Sequence, residues 1–169
     1  MSFGNVVDIL VGVLVPLCIA LLTVYVDRTL RERKDRKMMI SGLLSEAQRN
    51  ILTIVALRGL IGKIKESLEK GWWVTTPILR LNEESFKFAE SQGLILRLET
   101  SLHDALINAY LTIASINQIV AHIELMSSFY TRGELMAKDL RAHLNLIEKR
   151  LNGLEPTLKL CKESLESEL

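Results

Sequence analysis

No lysine or arginine precedes Arg28, although the 169-residue chain holds 21 basic residues from that position onward. A secretory signal peptide opens on such charges, so that reading of the N-terminus fails. It fails again because the apolar run behind Met1 is long and no A-x-A-like cleavage site closes it. Cysteine is scarce as well. Cys18 lies inside the apolar run and Cys161 in the tail, a usage that excludes a disulfide framework and suits a reducing compartment. Aromatic residues make up only 5% of a chain that is 49% hydrophobic, so its Leu and Ile point to packed helices rather than sheet. The net charge of +1 gives no global attraction to nucleic acid, and none is expected as a partner.

Chemical motifs are missing too. His103, His122 and His143 show no HxxxH or HExxH spacing, and no CxxC is present to build a zinc site. No G-x-S-x-G elbow, G-x-G-x-x-G turn or Walker loop occurs. The adjacent Glu83 and Glu84 suit a helix start, where carboxylates favour the dipole. The expectation is therefore no catalytic residue, no metal, no cofactor and no enzymatic activity.

What the sequence does contain is an anchor. Ile9–Val26 is eighteen residues without a charge. At ~1.5 Å per residue, about 20 residues cross a hydrocarbon core of ~30 Å, and Val6 and Val7 extend the run to that length. Residues 6–26 are read as a transmembrane helix and residues 1–5 as a short extracytoplasmic N-terminus. Asp27–Lys37 then supplies six bases: Arg28, Arg31, Arg33, Lys34, Arg36 and Lys37. Basic flanks stay inside, so residues 27–39 form a cytoplasmic juxtamembrane stalk, and the remainder is a cytosolic domain of a cell-membrane protein.

Residues 40–169 read as an all-α bundle of three to four main helices. Ile40, Leu43, Leu44, Ala47, Ile51, Ile54, Leu57, Ile61, Ile64 and Leu68 recur at three-and-four spacing up to a stop at Gly71. Thr76–Pro77 has the form of an N-cap with proline behind it, and a short helix over about Glu83–Ser91 follows, capped by Asn82 and ended near Gly93. A long helix is expected from about Leu94 to Tyr130, on a stripe of Leu94, Leu98, Leu102, Ala105, Ala109, Ile113, Ile116, Val120 and Ile123. Thr131-x-x-Glu134 matches a capping box for a fourth, which Asn152–Gly153 can end and Pro156 can restart or kink.

Glu46-x-x-x-Asn50, Trp73 with Thr75–Thr76, Gly93-x-x-x-x-Leu98 and Tyr110-x-x-Ile113-x-x-x-Asn117 together form a pattern. It is similar to that of small prokaryotic membrane-anchored proteins with one N-terminal span and a cytosolic helical domain of unknown function. The resemblance runs from Ile9 to about Val120 and implies the architecture, with no activity attached.

Three sets of residues stand above background. Glu46, Asn50, Tyr110 and Asn117 are polar positions on apolar stripes, expected to form a buried hydrogen-bond network or a polar pocket for a small ligand. Trp72 and Trp73 sit together in a connector, where they suit a partner contact or the closing of a bundle end. Asn5, Asp8, Gly12, Pro16, Ala20 and Thr23 share one face of the anchor, a small and polar ladder along which spans can self-associate or line a pore. The leading expectation is a non-enzymatic, oligomeric, membrane-anchored interaction or scaffold module, with the lipid bilayer, a second copy and a cytosolic protein as its partners. The alternative is an oligomeric pore or membrane effector gated by a cytosolic signal that the bundle senses.

Overall fold

The computed structural model describes residues 3–71, 77–129 and 134–169, with side chains at positions 12, 14–71, 77–126 and 136–169. All regular structure among them is helical: α1 (Phe3–Glu69), α2 (Glu84–Ser91), a 3-10 turn (Ile95–Arg97), α3 (Thr100–Phe129) and α4 (Glu134–Ser167). The chain divides into two compact units, Met1–Met38 and Met39–Leu169, with the boundary inside α1.

In the first unit the described part of α1 has no interior of its own. From Leu14 to Val26 every residue is exposed, Leu21 at 62% and Val24 at 66%. Pro16 lies within the helix.

The second unit has a continuous core. Of the stripe expected from spacing, its α1 portion buries Ile40, Leu43, Ala47, Ile54, Leu57, Ile61 and Ile64, while Leu44, Ile51 and Leu68 are only partly buried against the core. Leu102, Leu106, Ile113, Ile116 and Val120 come from α3, and Leu144, Ile147, Leu151, Leu154, Leu158 and Leu165 from α4. Full burial of each Leu or Ile contributes about 1.5–3 kcal/mol relative to exposure. Arg58 meets Glu155 and Lys65 meets Glu148, so α1 and α4 run antiparallel. The Arg150–Ser115 hydrogen bond and the His122–His143 ring contact make α4 antiparallel to α3 as well. Consequently α1 and α3 are parallel, which two helices in succession achieve only by a crossover. Residues 77–99 are that crossover.

Among the described residues one helix, α3 over Thr100–Met126, is long and apolar enough to cross a membrane by length and composition. A central bundle helix passes the same test. Here the inward face of α3, from Leu102 to Ile123, is core.

Three expected boundaries differ from those observed. Pro77 does not start a helix, because residues 77–83 have no regular secondary structure and serve as a strap. Residues 94–99 are not the beginning of α3: they form a 3-10 turn, and α3 starts at Thr100. The fourth helix neither ends at Asn152–Gly153 nor restarts at Pro156, and α4 passes through both. An interior proline costs about 3 kcal/mol, which the core contacts of Leu151, Leu154, Leu158 and Leu165 on either side offset. Arg58 of α1 also ties down this turn. It pairs with Glu155 and donates to Asn152 Oδ1 (3.0 Å) and to the Leu151 carbonyl (3.4 Å). Lys159 and Arg58 together hold the Glu155 carboxyl below the ordinary carboxylate value.

Candidate functional site

An irregular strap that packs against helices must find partners for its buried amides, because each one left unpaired costs about 1–3 kcal/mol. No strand lies beside residues 77–83, so side chains do what a strand would do. Asn50 of α1 donates from Nδ2 to the Asn82 carbonyl (2.8 Å) and accepts the Asn82 N–H at Oδ1 (2.7 Å). Asn117 of α3 treats the preceding residue identically, donating to the Leu81 carbonyl (2.9 Å) and accepting the Leu81 N–H (3.0 Å). A primary amide carries one donor edge and one acceptor edge, which matches a peptide group on each side. Two asparagines therefore grip two consecutive residues from opposite helices, while Ile78 and Leu81 are buried in the core.

Glu46, one turn before Asn50, completes the grip. Its Oε2 accepts the Ser85 N–H (2.7 Å) and its Oε1 the Phe86 N–H (3.2 Å). These are the second and third amides of α2, which a capping residue within the chain usually takes. Asn82, the cap expected from the sequence, accepts only the first, from Glu84 (3.1 Å). The cap of α2 is thus chiefly a carboxylate from α1, placed where the helix dipole favours negative charge. At its other end α2 closes with Gly93 at φ +63, the left-handed conformation that glycine adopts without strain. The Gly93 N–H donates to the Glu90 carbonyl (2.9 Å) and the Leu94 N–H to the Ala89 carbonyl (2.9 Å).

Tyr110 stands beside this cluster. Its ring stacks on Phe86 at 4.1 Å and 9°. Its hydroxyl is buried and makes no hydrogen bond within the described residues. Burial, and after it the nearby Glu46 carboxylate, push that hydroxyl above the ordinary phenol value. Glu46, Asn50, Tyr110 and Asn117 thus converge on one element. Asn50 and Asn117 do not bond each other, and both amide edges of each, like both oxygens of Glu46, are occupied by backbone. The arrangement positions chain. It leaves no exposed acid–base pair for chemistry.

The remaining residues singled out from the sequence lie elsewhere. Trp72 and Trp73 fall outside the described residues, and Asn5 and Asp8 lie on α1 among positions whose side chains are not described. Gly12, Pro16, Ala20 and Thr23 are exposed, and Thr23 Oγ1 donates to the Ile19 carbonyl (2.8 Å). Arg28, Arg31, Arg33, Lys34, Arg36 and Lys37 are all exposed.

Two features escape sequence spacing because they join different helices. His122 of α3 and His143 of α4 bring their ring centroids within 5.0 Å, and His143 Nδ1 lies 2.7 Å from the Asp139 carbonyl. No group of three metal-ligating side chains forms there or elsewhere among the described residues. Between α3 and α4, an open groove of about 340 Å³ is lined by Asn108, Thr112, Lys149, Arg150, Gly153 and Thr157, among others. Cys161 is buried, and burial pushes its thiol up to about 11.

No protein-family model matches the chain, and neither the curated proteins nor the solved structures yield a match.

Proposed function

We propose that this chain is a single-pass, membrane-anchored interaction module without catalysis of its own. The N-terminal part of α1 crosses the bilayer, and the bundle Met39–Leu169 works on the cytoplasmic side. The observation that carries this reading is the exposure of every residue from Leu14 to Val26 in a stretch without a charge, ended at once by Asp27 and the six bases. Water would oppose so much apolar surface; hydrocarbon would not. The bases fix the bundle inside.

An interaction role is supported by the outward side of α1 within the bundle. Leu52, Val55, Ala56, Gly59 and Gly62 are exposed there, Leu52 at 72%. Self-association through the face holding Gly12, Pro16 and Ala20 belongs to the same reading.

The two cysteines provide the test, because Cys18 is exposed inside the apolar stretch and Cys161 is buried in the bundle. In native membranes the chain should resist extraction by alkaline carbonate. Cys18 should react with a lipophilic maleimide and not with a charged one. Protease should reach the bundle only after permeabilisation. Release by carbonate, or charged-reagent labelling of Cys18 in intact membranes, would overturn the anchor. A monomer by light scattering in mild detergent would overturn self-association.

A further inference from the structure

We propose that Arg33, Lys34 and Lys37 form a one-sided cationic face that binds the headgroups of anionic phospholipids. The inference rests on the anchor reading and goes beyond it, because the six bases need only be present, in any arrangement, to set orientation.

The arrangement is not arbitrary. At ~100° per residue, with Asp27 as zero, Asp35 falls at about 80° and Glu32 at about 140°, so the three acids share one side of α1. Arg31 and Arg28 lie on that same side, at about 40° and 100°, and are engaged there: Arg31 with Asp27 (2.8 Å) and Arg28 with Glu32 (3.0 Å). Arg33, Lys37 and Lys34 fall at about 240°, 280° and 340°, an arc that holds no acid. All three are exposed, and none is in an ion pair among the described residues. Leu30 and Val26 occupy the same arc one and two turns before Arg33, both exposed, so this side of the helix passes from apolar to cationic.

Reach favours a lipid partner. Arg33 is seven residues beyond Val26, about 10 Å along the axis, and Lys37 about 16 Å. The polar layer of a bilayer leaflet occupies about 5–8 Å of that. Side chains on a helix slant toward its N-terminus, here back toward the membrane, and Lys and Arg stems extend further while covering apolar surface such as Leu30. A base held near an anionic membrane surface strengthens attraction roughly five-fold, provided it lies within about a Debye length.

The test uses the full chain reconstituted in phosphatidylcholine vesicles, with trace spin-labelled phosphatidylglycerol or phosphatidylcholine. The electron spin resonance spectrum separates lipid held at the protein from free lipid. The wild type should hold phosphatidylglycerol several-fold over phosphatidylcholine, and high salt should erase the preference. Arg33→Gln/Lys37→Gln should lose most of it. Arg28→Gln/Arg31→Gln removes the same net charge from the paired side and should retain it. Equal loss in both double variants would overturn the one-sided face in favour of bulk charge. Equal retention of the two lipids by the wild type would overturn lipid binding with the anchor intact, since held lipid itself reports insertion. Absence of held lipid of either kind would overturn the anchor and the proposal together.

Discussion

The two ends of α1 use similar residues to opposite effect. Leu17, Ile19, Leu21 and Leu22 stand exposed on every side, whereas Leu43, Ile54, Leu57 and Ile61, further along the same helix, are fully buried. The difference lies in spacing. In the first stretch apolar residues encircle the helix, so no single neighbouring helix could cover them, and lipid on all sides can. In the second they recur at three-and-four intervals between Arg49, Arg58, Lys63 and Glu66, which keeps one side for protein and one for water. A helix declares its solvent by the angular spread of its apolar residues more than by their number.

The largest effect should separate these two regions. Ile113→Ala, in the centre of the bundle, should cost about 2–5 kcal/mol in denaturant unfolding of the full chain in detergent. Leu21→Ala should leave that transition within about 0.5 kcal/mol. If Leu21→Ala destabilised the bundle comparably, the two regions would not be distinct units.

Next comes the strap that makes the second region a bundle. Glu46→Ala strands the Ser85 and Phe86 amides and should cost about 2–3 kcal/mol. Hydrogen exchange should speed up first in α2, with the α3 and α4 core amides least affected. Uniform acceleration would mean that the cap is not local.

Asn50→Leu and Asn117→Leu should each cost about 1–3 kcal/mol, because each strands one peptide group of the strap. Together they should cost less than their sum. Once one residue of the strap is released, its bonded neighbour has less to lose. Strict additivity in the double-mutant cycle would show that Leu81 and Asn82 are held independently.

A smaller effect concerns Cys161. Its folded pKa is raised to about 11, so the folded state binds the thiol proton more tightly than the unfolded chain. This contribution to stability is complete below the ordinary thiol value and is lost as pH rises through it toward about 11. Alkaline melting curves of Cys161→Ala should therefore fall less steeply over that window. Identical slopes would place the thiolate in water. The least effect belongs to Tyr110→Phe, which removes a buried hydroxyl without a hydrogen bond and keeps the stack on Phe86. Its stability should stay within about 0.5 kcal/mol or rise slightly. A loss beyond 1 kcal/mol, by the worth of an ordinary hydrogen bond, would give the hydroxyl a working partner.

The all-helical class and most of the core were legible in the sequence. The stripes of α1 and α3 follow from a 3.6-residue period, which residue order alone dictates. The uncharged run to Val26 and the six bases after it are linear features of the same kind. Glu46, Asn50 and Asn117 were conspicuous as polar residues on apolar stripes, but their partners were not. Those partners are backbone groups of Leu81, Asn82, Ser85 and Phe86, and backbone leaves no mark in a sequence. The structure alone set the course of residues 77–83 and 94–99, since Thr76–Pro77 and the stripe from Leu94 both suggest helix locally. It also carried α4 through Pro156, where the local cost is outweighed by core contacts and by Arg58 from another helix. It brought His122 to His143 across a helix pair. Periodicity determines which side of a helix turns inward; what that side meets depends on segments thirty to a hundred residues away, and only the packed chain brings them into contact.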